Sequence, residues 1–401
     1  MGTGGVMAVA EGAVRPAKAS WFYDARVRAV VYQVVMAGSV VFFFAWLTNN
    51  TLANLEQRGI SSGFEFLNHP AGFGITFSLI EVSEASPYKR VFLVGVLNTL
   101  FVSAIGVVLA TLLGFTLGVM RLSKNFIISR LAAVYLETFR NVPLLLQMLF
   151  WYTGVMLAFP TVRDAIIISD NVYLSIRGLN YPSIVPEPGF MAIPIAFVVG
   201  IVATIIMRKL VKRRRDATGQ DFPTVWVGIG LVVGLPVLAA LVTGLPWSRD
   251  IPELRGFNFR GGSVVIPEFM ALLLALSMYT AAFIGEIVRA GIQAVSHGQS
   301  EAAHALGVKP STTLRLVIIP QAMRIIIPPL ISQYLNLVKN SSLAPVIGYQ
   351  EITHLWAGTV LNQSGQALEC MAMIMATYCV ISLSISGIMN WYNARVALVE
   401  R

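Results

Sequence analysis

The stretch Val91-Phe-Leu-Val-Gly-Val-Leu-Asn-Thr-Leu-Phe-Val-Ser-Ala-Ile-Gly-Val-Val-Leu-Ala-Thr-Leu-Leu-Gly-Phe-Thr-Leu-Gly-Val-Met120 decides the fold class, because it runs from 91 to 120 without one charged residue. A helix rises about 1.5 Å per residue and the hydrocarbon core of a bilayer is about 30 Å thick, so about 20 apolar residues cross it. Seven further runs satisfy the same test: 29–47, 134–159, 189–207, 224–243, 264–288, 325–346 and 370–390. Backbone groups find no water in lipid, so helices are the expected spanning element. The runs are too long and too uniformly apolar for the alternating strands of a barrel. The expected fold is therefore all-α, a polytopic membrane protein with about eight transmembrane helices.

Composition points the same way. Only 12% of the 401 residues are charged and 56% are hydrophobic, against about 25% charged in soluble domains. Mean hydropathy is +0.71. A soluble chain could not cover that much apolar surface. The first run is not a cleaved signal peptide, since Thr48-Asn49-Asn50 follows it in place of a small-residue cleavage site. The net charge of +9 is topological rather than a nucleic-acid signal. With the N-terminus inside, 19 of the 29 Lys and Arg fall in cytoplasmic segments and 8 in outside loops, as the positive-inside rule requires of both termini cytoplasmic. The densest cluster is Arg208, Lys209, Lys212, Arg213, Arg214 and Arg215, abutting a span. The first 20 residues are expected to form a mobile tail.

No catalytic set is visible. Gly307-Val-Lys309-Pro310-Ser311-Thr312 imitates a phosphate loop but lacks a glycine directly before the lysine, and a proline sits where the hydroxyl belongs. His69, His297, His304 and His354 are scattered, and there is no metal-ligand spacing. Gly114…Gly118 and Gly230…Gly234 have the spacing that lets helix backbones approach closely, either within this bundle or at a subunit interface.

The most informative loop lies between the sixth and seventh runs, His297-Gly-Gln-Ser-Glu-Ala-Ala-His-Ala-Leu-Gly-Val-Lys-Pro-Ser-Thr-Thr-Leu-Arg-Leu-Val-Ile-Ile-Pro320. Ser300 can cap a short helix beginning at Glu301. Gly307 sits where a left-handed C-terminal residue is favoured. A second helix opens near Pro310 or Ser311 and stops or bends at Pro320. A mere linker would be shorter; this loop is shaped to dock on something in the cytoplasm.

Here the chain resembles a known family. Glu301, Ala302, Ala303, Gly307 and Pro320 match the EAA loop of ABC importer permeases, with Val317 and Ile319 in place of the usual Ile and Leu. Asn98-Thr99, Glu137–Gln147, Tyr279–Ile292 and Lys339–Leu343 resemble the polar amino-acid (histidine/glutamine-type) branch. That resemblance implies a type I ABC importer permease core at 86–160 and 264–392, the latter holding the coupling loop at 290–320. Around it lie an N-terminal segment 1–85, an inserted segment 161–263 with two extra helices and Pro- and Gly-rich loops, and a cytoplasmic tail 393–401. The implied assembly is an ATP-driven L-amino-acid importer in the bacterial inner membrane. This chain and a paralogous permease, or a second copy, would form the pore. Two cytoplasmic ATPase subunits would bind ATP and Mg, and a periplasmic amino-acid-binding protein would deliver solute. No cofactor is expected in this chain, and membrane lipid but no nucleic acid is expected among its partners. Helix 301–306 would be the coupling helix, moved as a rigid body by ATPase closure.

Polar groups inside the spans are the substrate-pathway candidates. Lys339 is the sharpest, because a lysine at the centre of a span costs about 2.5 kcal/mol or more and usually faces a cavity or partner. Prolines at Pro328-Pro329 and Pro345 are expected to break its helix and free carbonyls. Two readings stay open: a cavity-facing lysine that meets a carboxylate, or a lysine snorkelling to the outer surface. Gln333, Asn336, Asn340 and Ser341 share its helix, and Gln147, Asn98 and Arg140 are further candidates. Glu286 and Arg289, three apart, are expected to pair beside the loop. The rival functions are an ion-coupled secondary transporter, which would want paired intramembrane carboxylates, and a membrane-bound enzyme.

Overall fold

The computed structural model describes residues 25–57 and 63–396. The N-terminal tail expected over the first 20 residues lies outside them. Two compact units are present. One holds helix α1 (Ala25–Gln57) and Ser364–Glu369; the other runs from Glu65 to Gln363 and resumes at Cys370.

In the larger unit, α2 (Tyr88–Arg121) is a 34-residue helix, followed by α3 (Phe126–Asn141) and α4 (Leu144–Leu149), which π and 3-10 turns extend to Ala158. Asn125 starts α3 by accepting from the amides of Ile127 and Ile128, the side-chain cap that satisfies otherwise orphaned N–H groups. The run 134–159, expected as one span, is instead two helices bent by 105°. The physical cause is Pro143, which holds Val142 extended at φ −89°, ψ 127°, because a residue before proline is excluded from the helical region. Among the described residues seven helices are long and apolar enough to cross a membrane, or eight if this bent pair counts as one span.

The inserted segment departs from the expectation of irregular loops. Strands β1 (Ile166–Ser169), β2 (Val172–Ser175) and β3 (Gly178–Tyr181) pair antiparallel; β4 (Ser183–Pro186) then leads to α5 (Ala192–Thr218) and α6 (Thr224–Val242). After that hairpin come β5 (Trp247–Asp250), β6 (Glu253–Arg255), β7 (Asn258–Arg260) and β8 (Ser263–Val265). β5 returns to pair with β4, β6 pairs with β7, and β8 closes on β3 with Leu179 opposite Val265. The two loops flanking the hairpin thus satisfy each other's backbone groups. The membrane core remains all-helical.

α7 (Pro267–Gln293) is the central helix. It packs on α2 through glycines. A Cβ added at Gly114 would lie 2.6 Å from Cβ of Ile284, and one at Gly118 would lie 2.7 Å from the Gly285 carbonyl. This glycine pair therefore serves packing inside the bundle. Gly230 and Gly234 on α6 have open space instead. Below α7, α8 (His297–Ala305) and α9 (Pro310–Thr313) lead through a π turn, Leu314–Ile318, into α10 (Ile319–Asn340). α10 was expected to begin with a break at Pro320 and to break again at Pro328-Pro329; it does neither. Pro320 sits in the first turn of α10, where its missing N–H is not needed. Pro328 and Pro329 lie inside α10, and the helix is retained through them. The apolar helical run Pro310–Ile347 is continuous, its end wound as a 3-10 turn from Ser341 to Ile347. A π turn, α11 (Leu361–Ser364) and α12 (Ala367–Val396) complete the described residues.

The main core joins α2, α7 and α10 through Val102, Leu272, Leu276, Ile284, Ile326 and Leu337. Rings stack where α2 and α7 meet the segment before α2, with Phe101 and Phe269 at 5.5 Å and Phe77 5.8 and 5.9 Å from them. A second cluster gathers Phe66, Tyr88, Ile352 and Trp356.

Candidate functional site

The EAA loop forms a closed local motif. α8 starts at His297 and has Ser296 as its cap residue, four residues earlier than Ser300 suggested. Ser300 therefore lies inside the helix. Its C-terminus is closed by two backbone bonds: Val308 N donates to Ala303 O at 3.0 Å, and Gly307 N to His304 O at 2.9 Å. Together with Gly307 at φ +72° this is a Schellman closure, which satisfies terminal carbonyls at the cost of one left-handed residue. Ala303 is buried beneath the motif. Gln321 Nε2 donates to Gln299 Oε1 at 3.3 Å, tying α8 to the first turn of α10.

Outward, the motif offers Glu301, Ala302 and Gly307, all exposed. Glu301 Oε1 lies 3.0 Å from His297 Nδ1, with both side chains largely in the open. Leu306 is 83% exposed, a bare apolar side chain at the tip, and Leu316 further along the loop is also exposed. Sequence reasoning gave neither of them a part in docking. Pro320 is exposed at the root. Above the loop, Glu286 and Arg289 pair as expected, with Arg289 Nε donating to Glu286 Oε2 at 3.1 Å and Nη1 to Gln293.

The pathway candidates divide. On α10, Asn336 and Lys339 are exposed, Gln333 and Asn340 are half-buried, and the three positions 332, 336 and 339 repeat along one face. Among the described residues the Lys339 ammonium has no carboxylate partner. Ser341 is buried, and its hydroxyl donates to Val338 O at 2.7 Å. Arg140 is exposed at the end of α3 with its guanidinium 5.5 Å from the Phe283 ring centre. The two amides are engaged by backbone. Gln147 is buried, and its Nε2 donates to Phe139 O and Val142 O, both at 3.0 Å. It thereby holds the carbonyls that the Pro143 break leaves over. Asn98 is buried, and its Nδ2 donates to Phe77 O at 2.9 Å and Gln350 O at 2.8 Å.

Asn98 belongs to a polar node that sequence reasoning missed. Glu351 is fully buried in the segment between two spans. Its carboxylate accepts from Tyr378 Oη at 2.8 Å and His354 N at 2.9 Å, with Thr99 Oγ1 at 3.4 Å. Loss of water pushes the carboxyl above the ordinary carboxylate range, against the opposing pull of the Thr353 and His354 amides and the Tyr378 hydroxyl. The available signal was a lone Glu in an otherwise uncharged stretch, 340–368. Elsewhere, the turn between β2 and β3, β3, β7, β8 and the start of α7 line a cleft of 550 Å³ that holds Arg177, Asn180 and Glu268, where Tyr152 Oη donates to Glu268 at 3.1 Å.

A bundle of membrane helices centred on two glycine-packed spans, with a rigidly closed and uncovered loop beside them, has the architecture of a transport permease. Residues 218–398 match the family of binding-protein-dependent transport system inner membrane components. The chain is 52% identical over 380 residues to YhdX of Escherichia coli, named as an amino-acid ABC transporter permease, covering 95% of this chain and 97% of that one. It is 50% identical to the general L-amino acid transport system permease AapQ of Rhizobium johnstonii, covering 95% of each chain. It is 40% identical to the glutamate/glutamine/aspartate/asparagine transport system permease BztB of Rhodobacter capsulatus, over 94% of this chain and 96% of that one. The chain belongs to the amino-acid ABC transporter permeases, and is a multi-pass inner-membrane protein.

Proposed function

We propose that this permease forms half of the pore of an ATP-driven importer of L-amino acids, with a paralogous permease or a second copy as the other half. A cytoplasmic ATPase pair binds ATP and Mg and seats α8 in a groove; a periplasmic binding protein delivers the solute. Both termini are cytoplasmic in this reading, which the distribution of Lys and Arg supports. Glu301 offers the ATPase a carboxylate and Leu306 an apolar anchor. The proposed solute path follows the face of α10 that carries Asn336 and Lys339, with Arg140 near its inner end.

The observation that carries this reading is mechanical. The closed motif at Gly307 leads directly into one unbroken helical run, Pro310–Ile347, with Lys339 near its far end. Force applied to α8 is therefore delivered along a rod, and a rigid-body rocking of spans is the expected response. The test is uptake into vesicles carrying the full complex. Internal ATP should drive accumulation and an ion gradient alone should not, and Glu301→Lys should abolish amino-acid-stimulated ATP hydrolysis while the chain remains inserted. Gradient-driven uptake without ATP would overturn the reading in favour of an ion-coupled carrier.

A further inference from the structure

The α5–α6 hairpin carries an arrangement that the proposed solute path along α10 leaves unused. Its two helices pack tightly on each other, since a Cβ added at Gly200 would lie 2.5 Å from Leu231 O. α5 continues as helix well past its apolar part, through Arg208, Lys209, Lys212, Arg213, Arg214 and Arg215, and ends at Gly219 with φ +71°. All six cations are exposed. At about 1.5 Å per residue, they cover about 12 Å of helix directly after the apolar part of α5, the position at which a juxtamembrane basic cluster meets lipid headgroups. Beneath them lies a cavity of 600 Å³ whose wall is apolar, made by Ile206, Met207, Leu210 and Phe222, and whose rim is polar, made by Arg214, Gln220 and Asp221.

Arg214 Nη2 donates to Gln220 Oε1 at 3.0 Å, and Arg215 stands 3.9 Å from Asp221. Asp216 and Asp221 are the two acidic residues of the stretch 208–223, against six cations, so the stretch carries a net charge of +4. An apolar recess capped by excess cations at the membrane surface is complementary to a lipid with an anionic headgroup.

We propose that this end of the α5–α6 hairpin is a binding site for an anionic phospholipid, whose phosphate meets Arg214 and its basic neighbours while its acyl chain lies against Ile206, Leu210 and Phe222. The site is independent of which solute the permease carries. It gives the hairpin a role as a lipid-anchored brace.

The experiment uses the purified full chain in its complex, released from nanodiscs of equal parts phosphatidylglycerol and phosphatidylcholine, with retained lipid counted by native mass spectrometry. Phosphatidylglycerol should be retained at least tenfold over phosphatidylcholine. The variant Lys209→Gln/Lys212→Gln/Arg213→Gln/Arg214→Gln should lose that preference. Because removing four charges could disturb insertion, Ile206→Trp provides a second arm: it fills the apolar recess, leaves every charge in place, and should lower phosphatidylglycerol retention at least threefold. Equal retention of the two lipids by the native chain, wild-type retention in either variant, or displacement of the lipid by millimolar inorganic phosphate would overturn the proposal.

Discussion

Replacing Gly307 by alanine tests whether the turn that closes α8 is held by backbone conformation alone. A Cβ at this position would meet nothing within 4 Å, yet the residue sits at φ +72°. No steric clash contributes, so the whole effect is the cost of placing an L side chain in the left-handed region, about 1–2 kcal/mol for alanine. That converts to about a 5- to 30-fold loss in the closed-to-open ratio of the turn. Asparagine, which tolerates this region, should lose far less. The amides that report the turn are Gly307 N and Val308 N, which donate to His304 O and Ala303 O. Hydrogen exchange over the peptide 297–310 should therefore accelerate about 5- to 30-fold in Gly307→Ala and by no more than a few fold in Gly307→Asn. Amino-acid-stimulated ATP hydrolysis should fall in the same order. Unchanged exchange in the alanine variant, or equal acceleration by alanine and asparagine, would refute the reasoning, because only backbone strain distinguishes these substitutions at an open position.

Four other outcomes are expected. Glu351→Ala should cost about 3 kcal/mol or more, because the Tyr378 hydroxyl and His354 amide lose a buried acceptor, whereas Glu351→Gln keeps an acceptor and should stay within about 1 kcal/mol; thermal unfolding of the purified complex separates them. Since burial raises the carboxyl of Glu351, the folded state holds its proton to higher pH than the unfolded chain. Its contribution to stability is full below the ordinary carboxylate range and declines as pH rises through the elevated value, and Glu351→Gln should flatten that slope of Tm against pH. Gln147→Leu should destabilise by about 1–3 kcal/mol per carbonyl left bare at the α3–α4 bend, read as a lower Tm with no change in membrane insertion. Lys339→Ala should reduce uptake while leaving the ATPase bound on co-purification; wild-type uptake would mean that this lysine snorkels to the surface.

Much of the functional loop was legible because its structure is local. Six successive positions from Glu301 to Leu306 favour helix, and Gly307 then takes the one conformation for which glycine is needed. The helix nevertheless begins at His297 rather than Glu301, since helix ends are set by marginal local terms. Leu306 was passed over because nothing in a sequence says which side of a nine-residue helix will face outward. Asn98 and Gln147 read as polar residues in apolar spans, which is what lining residues and structural clips have in common; only their acceptors separate the two.

The sequence by itself determined which runs are apolar enough to cross a membrane and which sign of charge flanks them, because solvation of some twenty consecutive residues is a sum over composition and needs no partner. It also determined the left-handed turn at Gly307, a property of one residue. Tertiary structure decided the rest. Whether a proline bends or is absorbed depended on what surrounds it: Pro143 bends its run by 105° with Gln147 collecting the spare carbonyls, while Pro320, Pro328 and Pro329 are carried within one continuous helix. The pairing of β3 with β8 joins Leu179 to Val265 across the whole inserted hairpin, and the Glu351 node draws on Thr99 and Tyr378 from two other helices. Hydrogen bonds inside a low-dielectric interior are satisfied by whichever group arrives in space, and separation along the chain carries no information about that arrival.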